Sequence, residues 1–143
     1  MNRTQKIAWL FVITISLAVV SSLVAFAVLH FIFGMPKAAM ISSSFIAIAG
    51  FGGFGPMIFP KDKGKIVCDE RDTSINRKAA LAGFAASYLV VGLACMLPFS
   101  ILGPRATIPV VWLPNIFMAA GLTSFFVHSV VILVLYGRGG RNE

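Results

Sequence analysis

Charge is scarce in this chain, and it is missing altogether from its longest stretches. Charged residues make up 12% of the 143 positions and hydrophobic ones 58%, where soluble domains carry about a quarter charged and about half apolar. The four apolar runs Ile7 to Phe33, Ala38 to Phe59, Ala79 to Leu102 and Leu113 to Tyr136 contain no Asp, Glu, Lys or Arg. A soluble domain is thereby excluded. An ion-coupled carrier usually places a carboxylate or another titratable group inside its spans, and only histidine is available here for that role.

Other absences narrow the chemistry further. There are two cysteines and no C-x-x-C pair. Cys68 lies in a charged stretch and Cys95 deep in an apolar run, an arrangement ill suited to a mutual disulfide or a redox couple. No Ser-His-Asp set, H-E-x-x-H, phosphate loop or pair of intramembrane carboxylates is present, so no catalytic, cofactor-binding or metal site is expected, and the chain reads as non-enzymatic. His30 and His128 are the only histidines. As axial ligands of one haem they would have to meet, yet helical rise separates their depths by roughly 20 Å.

Each of the four runs is long enough to cross a hydrocarbon core of about 30 Å. The first could be mistaken for a signal peptide with a cleavage site at Ala25-Phe26-Ala27, but Val28 to Phe33 continues apolar where a mature terminus is normally polar. Short connections join runs one and two (Gly34 to Lys37) and three and four (Gly103 to Trp112), which makes each pair antiparallel neighbours. The expected fold is all-α: a four-helix transmembrane bundle filling residues 1–143 as one integral membrane domain. Within it, Gly50-Phe51-Gly52-Gly53-Phe54-Gly55-Pro56 is poor helix chemistry, so a break or kink is expected in the second span. In the third, Ala79, Gly83 and Ser87 share a face, with Ala82 and Ala86 beside it, and small faces let helix backbones approach.

The basic residues sort by side. Arg3 and Lys6, six residues between Lys61 and Lys78, and Arg138 and Arg141 lie at one end of the layout, against Lys37 and Arg105 at the other. Cationic flanks are retained in the cytoplasm during insertion, so both termini and the loop 60–78 are expected there, in the inner membrane of a prokaryote. A ten-to-two bias also separates the chain from dual-topology proteins such as the fluoride channels and small multidrug exporters. The net charge of +7 suits anionic lipid headgroups better than nucleic acid, because it flanks apolar runs and forms no aromatic-interleaved stripe. Trp9, Trp112 and Tyr136 fall at the membrane-water boundaries.

The densest polar constellation is Asp69, Glu70, Arg71 and Asp72, followed by Asn76, Arg77 and Lys78. It reads as a helix start, with acidic groups at the positive end of the dipole and cations at headgroup level. Arg71 is left over by that reading, and Asp69, Glu70, Arg71, Asp72 and Lys78 are therefore candidate partner-binding residues for a cytoplasmic or membrane protein, or for a second copy. Asp69, Asp72 and Asn76 also follow i, i+3, i+7, the weaker possibility of oxygens for a divalent cation. At this box the chain resembles the small bacterial and archaeal multi-span membrane proteins of unknown function marked by D-E-R-D-x-x-I-x-x-K-A between their second and third spans. Asp69, Glu70, Arg71, Asp72, Ile75, Lys78 and Ala79 match that pattern. A closing Tyr136-Gly137-Arg138 stands where those proteins more often show two tyrosines. The resemblance implies an integral membrane protein and supplies no substrate.

One pairing inside the membrane is expected. Tyr88 and His128 lie at about the same depth on antiparallel neighbours, and a polar group in hydrocarbon is costly unless paired, so a hydrogen bond between them is anticipated. With Ser16 and the glycines of span two they could line an inner-half polar path. Two roles follow: an accessory, immunity-type or signal-relaying protein that acts by contact through Asp69 to Lys78, or else a small channel or carrier using that path.

Overall fold

The computed structural model describes residues 2–35, 37–60, 70–105, 107–110 and 112–139. The fold is all-α, and four helices are long and apolar enough to cross a membrane: Arg3–Ile32, Met40–Ile58, Glu70–Leu102 and Trp112–Gly137. The chain divides into two compact units, Met1–Val67 and Cys68–Glu143, each a helical hairpin.

In the first unit, α1 (Arg3–Ala27) begins beside Asn2, whose amide donates to the Gln5 side chain at 2.9 Å, one arm of a capping box. Its end loosens into a π-helical turn, Val28–Ile32, before Gly34 reverses the chain at φ +61°. The return strand of the hairpin starts as α2 (Ala38–Ser43), tightens into a 3₁₀ segment (Ser44–Phe54) and closes with the single turn α3 (Gly55–Ile58). The expected break is thus real but begins earlier, at Ser44. Eleven residues of 3₁₀ helix far exceed the usual run of three or four.

The sequence explains this by its period. A 3₁₀ helix repeats every three residues, so Ala49, Gly52 and Gly55 stack on one face, and all three are buried. Phe45, Phe51, Phe54 and Met57 fall on a second face and are exposed. Ser44, Ala47, Gly50 and Gly53 form a third, also exposed. The buried face admits α1 closely: a Cβ on Gly52 would stand 2.5 Å from the Phe11 ring, and one on Gly55 3.1 Å from Ile7. A 3.6-residue helix would rotate these small residues apart, whereas the tighter winding keeps them in one line.

Polar contacts tie the hairpin at both ends. Ser22 donates to the Ser42 carbonyl at 2.8 Å. At the other end the Arg3 guanidinium donates to the carbonyls of Phe59 at 2.5 Å and Pro56 at 3.3 Å, and the Lys6 ammonium lies 6.0 Å from the Phe59 ring centre. Two cations therefore sit where α3 ends and its carbonyls lack helical donors, the favourable sign at a helix C-terminus.

The second unit pairs α4 (Glu70–Leu102) with α5 (Trp112–Gly139). Helix α4 ends at Gly103, whose φ of +82° and amide bond to the Phe99 carbonyl at 3.0 Å make a left-handed cap that favours glycine. The seam uses the small face expected from the sequence: Ala79 and Gly83 are buried, with Ala82, Ala86 and Ser87 half-buried. A Cβ on Gly83 would meet the Ser124 carbonyl oxygen at 2.5 Å and the His128 Cβ at 3.2 Å. With lipid as apolar as the helices themselves, such close backbone packing is what holds a membrane hairpin together.

Candidate functional site

Polar side chains gather at the end of the second hairpin where α4 starts and α5 finishes. Helix α4 begins at Glu70, within the box read from the sequence as a helix start, so nine residues of the segment 60–78 are helix continuous with the span. Glu70 and Asp72 occupy its first turn, the electrically favourable place for carboxylates. Asp69, the first residue of the box, lies outside the described residues.

The box splits by helical phase. Asp72, Ile75, Ala79 and Gly83 advance by three or four residues and so stay on the α5 side. Ile75 and Ala79 are buried there, and half-buried Asp72 accepts a hydrogen bond from the Tyr136 hydroxyl through its carboxylate. This bond joins the first turn of α4 to the last turns of α5 and was not anticipated. Its signal was available: Asp72 and Tyr136 continue the antiparallel register that matches Gly83 with Ser124. Glu70, Arg71, Ser74, Arg77 and Lys78 are exposed, on the remaining face. Three cations and one carboxylate make that face net basic. Of the expected partner-binding set, Glu70, Arg71 and Lys78 thus stand outward while Asp72 is held in the seam.

The structure does not bring Tyr88 and His128 together. Tyr88 is 74% exposed, and its ring packs against Phe84 at 6.2 Å. His128 instead lies against the α4 backbone, its Cβ 3.2 Å from where a Cβ on Gly83 would stand. Both depth and angle differ from the expectation. In the register that sets Gly83 against Ser124 and His128, Tyr88 lies more than a turn further along α4, and, five residues beyond Gly83, it stands about 140° around the helix from the seam. Ser16 is likewise exposed. His30 packs face to face on Phe26 at 5.4 Å and edge-on to Phe31 at 4.9 Å, an aromatic cluster where α1 passes into the π-helical turn.

No family model, no curated protein and no solved structure matches this chain.

Proposed function

We propose that this is a non-enzymatic, multi-pass protein of a prokaryotic inner membrane that acts by contact, and that its docking surface is the exposed basic face of the first nine residues of α4. The observation that carries the reading is the length of that helix. Its 33 residues extend about 50 Å, against a hydrocarbon core of about 30 Å. The excess leaves the membrane as a helical stalk, braced by Tyr136 on Asp72. A helix presents Arg71, Ser74, Arg77 and Lys78 in a fixed geometry, which a loop does not, and lowers the ordering cost of binding. The basic excess selects an acidic surface on a cytoplasmic or membrane partner, with anionic headgroups below it.

The carrier reading has less behind it. His128, the histidine of this unit, packs against the Gly83 backbone in the seam, and Tyr88 stands exposed away from the seam, so the expected polar pair is not assembled.

A photocrosslinking residue at Ser74 in native membranes tests the proposal. One discrete adduct is expected, lost on combined Arg71→Glu and Lys78→Glu substitution while thermal unfolding of the protein is unchanged. Adducts no different from those formed at the exposed apolar position Leu89 overturn it.

A further inference from the structure

At the opposite end of the second hairpin, α4, the connection after Gly103 and the start of α5 enclose a slot of about 470 Å³. That volume falls within the range of roughly 300–1,000 Å³ typical of small-ligand sites. Its walls are apolar: Leu93, Leu97 and Leu102 on α4, Ile108 and Pro109 on the connection, Trp112 on α5. From Leu93 to Leu102 the α4 wall covers about 13 Å of helix. Half of a hydrocarbon core of about 30 Å is nearly the same length, so the slot runs from the boundary marked by Trp112 toward the bilayer centre, the path that one acyl chain of one leaflet follows.

One further feature gives the slot polarity where a lipid has it. Arg105 lies in the turn between Leu102 and Thr107, both of which line the slot, and its side chain is exposed. It is the only charged residue from Gly103 to Val111, so the mouth carries an uncompensated positive charge.

We infer that this slot is a binding site for one acyl chain of an anionic phospholipid, with the headgroup phosphate held at Arg105. The site is separate from the basic stalk of α4 and stands or falls without it.

Brominated lipids in nanodiscs read the site directly. Trp9 and Trp112 are the only tryptophans, so a Trp9→Phe protein reports from Trp112 alone, at the slot. Chain-brominated phosphatidylglycerol is expected to quench Trp112 at about a fivefold lower mole fraction than chain-brominated phosphatidylcholine, the factor expected of one arginine near an anionic headgroup. Arg105→Gln should abolish that preference. Ala94→Phe, which fills the slot from α4, should abolish it too, and Thr107→Phe, which narrows it from the connection and spares the helix, should do so even if Ala94→Phe does not fold. Equal quenching by both lipids in the Trp9→Phe protein overturns the site. A preference that survives Ala94→Phe or Thr107→Phe in folded protein overturns the placement of the chain in the slot.

Discussion

Gly83 shows how much a single residue decides in the second hairpin. The space a methyl group would need there is taken by the Ser124 carbonyl oxygen, 2.5 Å away, and a backbone atom inside a helix cannot swing aside. Gly83→Ala should therefore force α4 and α5 apart and cost about 1–3 kcal/mol, the range of overpacked sites. Gly92 lies on the same helix with nothing within 4 Å of a built Cβ, so Gly92→Ala should be neutral or stabilising by up to about 1 kcal/mol, because alanine is the better helix former. Unfolding by a denaturing detergent at increasing mole fraction compares the two. A Gly83→Ala midpoint equal to wild type would show the seam to be looser than drawn. The same phase rule accounts for Asp72 and Tyr88. Asp72 continues the line of Gly83 and meets Tyr136; Tyr88 leaves it and stands exposed.

At the scale of elements, the second span is the unusual one. Its winding follows from residues three apart: small at Ala49, Gly52 and Gly55, large and apolar at Phe45, Phe51, Phe54 and Met57. A cysteine scan from 44 to 54, each site labelled with a nitroxide and read by oxygen accessibility in bilayers, should peak every three residues. A period near 3.6 would contradict the 3₁₀ assignment. The period was present in the sequence. Composition alone revealed only that Gly50 to Pro56 was unfit for an α-helix, since propensity says what a segment avoids and period says what it adopts. The four apolar spans, by contrast, were legible throughout, because a bilayer imposes length and apolarity on whatever crosses it. The small face of α4 was equally legible from its four-residue spacing. The candidate site was legible only in part. Its residue types stood out, but which of them faced α5 depended on the azimuth of a helix whose start could not be fixed to better than a few positions.

For the whole molecule the decisive quantity is the distribution of cations about the spans. Each Lys or Arg moved across a membrane during insertion opposes the retained orientation, and the rule counts positive residues in short flanking segments instead of net charge. By that count the acidic residues around Glu70 do not weaken the bias, and the proposed orientation keeps Arg77 and Lys78 in the cytoplasm and exports Arg105. Two exposed positions report the two ends, Asn76 on α4 and Thr107 on the connection to α5. In a protein carrying Cys68→Ser and Cys95→Ala, a membrane-impermeant maleimide added to intact cells should label Thr107→Cys and leave Asn76→Cys unlabelled until the membrane is permeabilised. Labelling of both in intact cells would mean insertion in two orientations, which the ten-to-two bias forbids; labelling of Asn76→Cys alone would place the basic stalk outside, where no cytoplasmic partner could reach it. The stalk is a docking surface only under the first result, and the slot beside Arg105 then belongs to the outer leaflet.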